Sequence, residues 1–499
     1  MDWIFVSRRT PAKSKPAERG ATIIMFTMLT AMVMIPMIGL AIDGSILYWT
    51  KAKLSAAVDA AALAVGRDLS ASATTTAQTY VYANLPQGWL GTTYSPAPSA
   101  LVEDNTPSLG IRRVTVSAGV TVPLYFMRIL GQSSATVAAS GVSQRRDTDI
   151  ILILDRSYSM QQAGACDTMI NSAKSFVNNF ADGRDTLALV SFSTTANVDF
   201  AYNTSFKPAL NNKIDTAVCN GYTNTAAALK AAYDQIKAIP NASTKLNVIV
   251  LFTDGIPDAV QGDFQGDGTA TATNVIKKVT DTRYSYSSTS STTSVGASGC
   301  SASVHLTGIV VDTPGDGSTT GQTGGVYNPA SVPINTNVLL PGLVSNACGN
   351  FLAGATRMRY DIAYLPSNDA FGNALEGFRT VPLTGTNPDY YPSGNPYSGT
   401  GKLRTDTPVS VLHAAENAAD SQAQTIRNDT TYSPIIYTIG LGGTSYQPID
   451  DELLQRIAND PRSSSYNSSR PAGEYIPCTA AGLASAFQQV ASQILHLAR

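Results

Sequence analysis

Histidine is nearly absent from this chain. Among 499 residues there are three, His305, His413 and His496, far apart and in no HExxH or triad-like setting, which argues against zinc-hydrolase and acyl-transfer chemistry. Charge is scarce as well: 14% of residues are charged and the formal net charge is -2, so composition offers no footprint for nucleic acid. The five cysteines form no zinc-binding spacing. GTGKL at Gly399 to Leu403 lacks the first glycine and the closing Ser or Thr of a phosphate loop.

The sharpest local absence is at the start. From Gly20 to Ile42 no residue is charged, while Arg8, Arg9, Lys13, Lys15 and Arg19 stand before it against a single Glu18. About twenty apolar residues cross a bilayer as a helix, and a basic flank stays on the cytoplasmic side. The expectation is an N-in anchor in a bacterial inner membrane, with everything after Asp43 outside. Pro36 should kink this helix rather than stop it. A cleaved signal peptide is the alternative, but no small-x-small cleavage site follows Ile42. The 39 glycines and the abundance of Ser, Thr and Asn suit a secreted or surface protein.

What is present in strength is a pair of buried strands ending in aspartate. Ile150 to Leu154 has no polar break, as in a strand buried on both faces of a mostly parallel sheet. Asp155, Ser157 and Ser159 follow it, so a loop at the strand's C-terminal end can turn one carboxylate and two hydroxyls toward one point, where open α/β sheets place ligands. Hard oxygen donors suit Mg²⁺, Mn²⁺ or Ca²⁺ and suit Zn²⁺ poorly. Gly221 to Leu229 is a turn into an Ala-rich helix, with Thr223 and Thr225 at its entry. Val248 to Phe252 is a second buried strand, ending at Asp254. Read singly, such Ser and Asp residues also serve as helix caps.

The trio of DxSxS, a loop threonine and TDG after an apolar strand resembles the metal-ion-dependent adhesion site of von Willebrand factor type A domains. The resemblance implies Asp155, Ser157, Ser159, Thr223 and Asp254 as the metal shell, directly or through water. It also implies a Mg²⁺ (or Mn²⁺ or Ca²⁺) cofactor that binds a carboxylate of a partner. Tyr158 stands where the family has glycine, a change expected to alter the rim rather than the metal. The segment from Arg19 to Ala64 resembles the N-terminal part of TadE/TadG-like proteins of the Tad (Flp) pilus assembly system: a basic residue, a glycine, an apolar span, an aspartate and an Ala-rich helix. Processed prepilin-like members carry glutamate five residues after the glycine, and that position is Met25. An uncleaved anchor is therefore favoured.

Along the chain this implies an α/β fold: a doubly wound, mostly parallel sheet with an inserted lobe, preceded by a transmembrane helix and a small α+β module. The expected divisions are a basic segment (1–19), the span (20–42), a continuing helix (43–69), the module (70–146), the type A domain (147–257 and 409–499) and a Ser/Thr/Gly-rich insertion (258–408). In the continuing helix Leu47, Leu54, Val58, Ala61, Val65 and Leu69 share one face. In the module, Val114 to Val122 and Thr136 to Val142 read as strands and Pro123 to Leu130 as a helix whose Tyr125, Phe126 and Met127 belong to the core. Gln144 to Asp147 reads as a polar hinge. In the insertion Val304 to Val311 reads as a strand and Ala347 to Tyr364 as partly helical, while Asp263, Asp267, Asp312 and Asp316 read as turn residues rather than a calcium loop. A last helix, Thr479 to Leu497, should pack Phe487, Val490, Ile494 and Leu497 on the sheet.

An oxidising compartment favours disulfides. Cys166 and Cys219 flank the first two metal loops and should meet at one end of the sheet. Closing that loop contributes roughly 3 to 4 kcal/mol in the chain-entropy model. Cys300 and Cys348 form a second candidate pair, leaving Cys478 as a buried small hydrophobe. The expected function is binding, not catalysis: a membrane-anchored adhesion protein with pilus-assembly components as partners. The alternative is a structural, pilin-like subunit that polymerises through its N-terminal helix, the metal only stabilising the fold.

Overall fold

The computed structural model describes residues 17–67, 72–104, 111–265, 273–275, 292–294, 305–311, 365–379, 408–442 and 449–498. They form two compact units, Met1–Asp104 with Arg112–Arg145, and Asn105–Ile111 with Arg146–Arg499.

In the first unit, α1 (Ala17–Arg67) is one helix that runs through Pro36 without a break. Its apolar half has mean hydropathy 2.2 and is 6% buried, which sets it apart from the core helix of a soluble domain. Its second half is a packing helix. Leu54, Val58, Ala61 and Val65 are buried against α2 (Ala73–Asn84) and against Val114, Val116 and Val120. Leu47 is half-buried, and Leu69 lies outside the described residues. The sheet is antiparallel: β1 (Thr93–Tyr94) and β2 (Ser99–Asp104) pair with successive stretches of β3 (Ile111–Pro123), and β4 (Ser134–Arg146) pairs with β3 as well. β4 runs along α1 at close quarters. A Cβ on Gly141 would sit 2.5 Å from Asp59 Oδ1 and 2.8 Å from the α1 backbone, and Ser143 Oγ donates to Ala62 O at 2.7 Å.

Between β3 and β4 lies a single 3-10 turn, Met127–Leu130, in place of the expected helix. Tyr125 and Phe126 are exposed and Met127 is half-buried, which corrects the expectation that they form the core. The fold uses their backbone instead: the Tyr125, Phe126 and Met127 N–H groups donate to the Asp43 carboxylate at 3.0, 2.9 and 2.8 Å. The expected hinge at 144–147 coincides with the boundary between the two units, Arg145 to Arg146. β4 continues to Arg146 and the next strand begins at Thr148, leaving Asp147, buried and paired with Arg184 at 2.7 Å.

The second unit is built on β5 (Thr148–Asp155), β6 (Thr186–Phe192), β7 (Ala196–Asn203), β8 (Leu246–Thr253), β13 (Ile435–Leu441) and β14 (Tyr475–Cys478), in the order β14-β13-β8-β5-β6-β7. All neighbours are parallel except β7 on β6. Every residue of β5, β6 and β8 is buried, because helices cover both faces. Alternate residues feed two cores. Ile150, Leu152, Leu189, Val248 and Val250 meet α4 (Cys166–Val177), α5 (Lys207–Asp215) and α9 (Leu483–Leu497). Ile151, Ile153, Val190, Ile249 and Leu251 meet α6 (Thr225–Ala238), α7 (Pro408–Asn428) and α8 (Asp451–Ala458). Phe487 of α9 stacks against Phe176 and Phe252, and Val490 and Ile494 are buried beside it, whereas Leu497 is exposed in the last turn.

The chain that leaves β8 enters β9 (Ala259–Gln265), which pairs antiparallel with β12 (His305–Val311). A short pair, β10 (Thr273–Val275) and β11 (Thr292–Ser294), lies between them in sequence. Val260, Phe264, Val310, Leu365 and Leu375 pack on Val411, Ala414 and Ala418 of α7, so this lobe covers the face of α7 turned away from the sheet. Asp263 lies in β9, opposite Thr307, rather than in a turn. Asp267, Asp312, Asp316, Cys300, Cys348 and the segment 347–364 lie outside the described residues.

Candidate functional site

β5 and β8 are adjacent parallel strands, in register from Thr148 opposite Leu246 to Leu154 opposite Phe252. They therefore deliver Asp155 and the Thr253-Asp254 pair to one end of the sheet. Thr253 Oγ1 donates to Asp155 Oδ2 at 2.5 Å, and the Ser157 N–H donates to Asp155 Oδ1 at 2.8 Å. Ser157 turns the chain into a short helix, α3 (Tyr158–Gln162), which brings Ser159 back over the strand end. Ser159 Oγ donates to Asp254 Oδ1 at 2.8 Å and lies 2.8 Å from Ser157 Oγ. Asp155, Ser157, Ser159 and Asp254 thus form one buried oxygen cluster.

Thr223 is buried on the neighbouring loop, which is bonded to the same segment. The Tyr158 N–H donates to Gly221 O at 2.8 Å and the Asn220 N–H to Arg156 O at 2.7 Å. Gly221 has φ +100, and a Cβ there would crowd Thr194 Oγ1 at 2.8 Å, so this approach needs glycine. Asn224 caps α6 by accepting the Ala227 N–H at 3.2 Å, leaving Thr225 as the first helical residue. Cys166 and Cys219 are joined by a disulfide, tying the start of α4 to the Thr223 loop. Cys478 is a free, half-buried thiol at the edge of the core, which burial pushes up to about 11.

The motifs gave no role to two residues of this cluster. Thr253 shares the Asp155 carboxylate, and the signal for it was its place at the end of a buried strand parallel to β5. Asp258 holds the Thr223 loop: its Oδ1 accepts the Thr223 N–H at 2.5 Å and its own N–H donates to Thr223 O at 3.0 Å. That pairing crosses 35 residues and has no local signature. Arg156, next to Asp155 in sequence, donates its Nε to Ser191 Oγ at 3.0 Å.

The electrostatics are those of a site short of positive charge. Burial, with the Asp155 charge second, pushes the Asp254 carboxyl up to about 8 against the hydrogen bonds from Ser159 and Ser157. Burial likewise raises Asp155, against donors on Thr253 and Ser157. Asp254 Oδ2 is buried with no hydrogen-bond partner, which is costly for a carboxylate oxygen unless a cation or proton meets it. Among the described residues no group of three or more His, Cys, Asp or Glu side chains is arranged to hold a metal. The donor set is two carboxylates with hydroxyls, which fits a hard divalent cation.

Residues 150–256 match the von Willebrand factor type A domain, and residues 20–68 match the putative Flp pilus-assembly TadE/G-like family. No curated protein matches the chain. Among solved structures, the chain is similar to the vWF domain of the type V pili tip protein Mfa5 from Porphyromonas gingivalis, at 16% identity and TM-score 0.35, covering 71% of this chain and 97% of that one. It is similar at 13% identity and TM-score 0.35 to the PilB minor pilin from Streptococcus sanguinis, covering 82% and 80%. A manganese-loaded TRAP protein from Plasmodium vivax matches at 19% identity and TM-score 0.21 over 22% of this chain and 47% of that one.

The chain therefore carries a TadE/G-like segment on its apolar helix and a type A domain in its doubly wound sheet, the pairing expected of a pilus-associated adhesion or structural protein.

Proposed function

We propose that this protein is held by α1 in the bacterial inner membrane, N-terminus in the cytoplasm, and uses its type A domain to bind an acidic residue of a pilus-assembly partner through a divalent cation. Asp155, Ser157, Ser159, Thr223 and Asp254 would hold the cation, Mg²⁺ or alternatively Mn²⁺ or Ca²⁺. The observation that carries this reading is Asp254 Oδ2, buried without a donor in an all-oxygen cluster at the carboxyl end of the sheet. A divalent ion held by two carboxylates and neutral hydroxyls retains affinity for a further anion, which a partner's carboxylate supplies.

Binding rather than turnover is inferred from the same residues. Ser157 stands where a phosphatase of the DxD type has its second carboxylate. Neither Ser157 nor Ser159 has a histidine beside it in sequence to act as a base.

The test is calorimetric titration of Mg²⁺ and Mn²⁺ into the metal-stripped full chain in lipid nanodiscs, beside Thr223→Ala and Asp254→Asn. Saturable binding is expected in the parent and a loss of at least about tenfold in each variant, since Thr223→Ala removes an oxygen ligand and Asp254→Asn removes a negative charge. A folded parent that binds neither ion overturns the reading and leaves the domain as a scaffold.

A further inference from the structure

The turn at Met127–Leu130 sits where the span ends. The uncharged stretch Gly20 to Ile42 is about 34 Å long as a helix, enough for a hydrocarbon layer of about 30 Å, so Asp43 falls at the outer boundary. Asp43 binds this turn by its backbone, accepting the N–H groups of Tyr125, Phe126 and Met127. Phe126 then reaches down the helix. A Cβ on Gly39 would lie 2.5 Å from Phe126 Cβ, and Gly39 is about 6 Å deeper along the axis than Asp43. Gly39 is buried in an otherwise exposed stretch of α1.

Around this contact the turn is apolar and open. Tyr125 is 59%, Ile129 81% and Leu130 70% exposed, with Arg128 exposed among them. Aromatic and aliphatic side chains next to a single long basic one form the composition of an interfacial anchor. The rest of the module leads away from the membrane along α1: Phe126 meets Gly39, Gly141 meets Asp59 and Ser143 meets Ala62.

We propose that residues 125–130 are a foot that rests in the lipid surface, with Tyr125, Phe126, Ile129 and Leu130 in the interfacial layer of the outer leaflet and Asp43 as the pin that fixes the foot to the span. The proposal depends on the anchor reading given above. The occupant is lipid because the turn is continuous with the exposed apolar face of the spanning helix and is pinned at its end. The foot and α1 together give the module two points of attachment and set its tilt.

The test uses the full chain in vesicles of phosphatidylethanolamine and phosphatidylglycerol, with photoreactive benzoylphenylalanine replacing Ile129, Ile35 or Leu101 in separate samples. Ile35 is exposed on the span. Leu101 is exposed on β2 one residue before the pairing of Val102 with Val114, at the far end of β3 from the turn. The expected result is a gain of lipid mass on irradiation at 129 and at 35, and none at 101. Lipid addition at 35 without addition at 129, or crosslinking of 129 to a second copy of the chain, overturns the foot and leaves the anchor standing. Equal lipid addition at 101 also overturns the foot. Absence of lipid addition at 35 overturns the anchor and the foot with it.

Discussion

Asp460 shows how much a single buried carboxylate depends on its donors. It accepts the Tyr475 N–H at 2.8 Å and is gripped by Arg462 through Nε at 2.9 Å and Nη2 at 2.6 Å. Burial opposes the charge, yet these donors and the Arg462 backbone hold the carboxyl down at about 2. A folded value below the unfolded value of about 3.9 means that the stabilisation is complete above about pH 4 and is lost as pH falls toward 2. Asp460→Asn should remove about 1 to 2 kcal/mol of stability at neutral pH, allowing for screening at the exposed Arg462. It should also flatten the acid limb of an unfolding curve between about pH 4 and pH 2, as measured by urea unfolding across that range. At the candidate site the sequence placed Asp155, Ser157, Ser159 and Asp254, since each follows a buried strand by a fixed number of residues. It gave no role to Thr253, although the TDG motif contains it, or to Asp258; both roles arise from neighbours reached only through strand pairing and loop closure.

At the scale of elements, patterning was legible wherever burial is continuous or periodic. β5, β8, α6 and α9 stand within a few residues of where apolar runs and helical spacing put them. Among the elements that were not anticipated, α2 and α5 have sparse apolar residues. α2, for example, buries Thr76, Ala77 and Val81 only because α1 lies against it. The Tyr125-Phe126-Met127 stretch misled for the opposite reason: an apolar run signals burial, but beside the exposed apolar half of α1 it need not face protein. The α1–β4 contact makes a sharp test of element packing. Gly141→Ala places a methyl group within 3 Å of the α1 backbone and of Asp59. Overpacking of this kind costs about 1 to 3 kcal/mol: the Asp59 carboxylate can swing aside, but the Asp59 N and Val58 C atoms at 2.8 Å are α1 backbone and cannot. The variant should show faster proteolysis of residues 72–145 in the reconstituted full chain, with cleavage in the type A sheet unchanged.

For the whole molecule, the division into two units makes the reach of the proposed cation testable. Saturation at a hundred times Kd stabilises a binding state by about 2.7 kcal/mol. In hydrogen exchange of the full chain, Mg²⁺ should raise protection in 155–159, 219–225 and 253–258 while leaving β3 and β4 unchanged. Protection spreading equally through both units would show that the ion acts on something other than this cluster. The sequence by itself determined the long apolar helix, the doubly wound sheet and the residue types at its carboxyl end. Continuous apolar runs, charge-free length and strand-end aspartates are local properties, and they survive without knowledge of any partner. Only the tertiary structure decided that Thr253 would share the Asp155 carboxylate, that Asp258 would hold the Thr223 loop, and that Asp43 would be met by three backbone amides 82 to 84 residues away. Those contacts join segments far apart in the chain, and a hydrogen bond of that kind is fixed by where the packed elements bring two groups, not by which residues stand beside them in sequence.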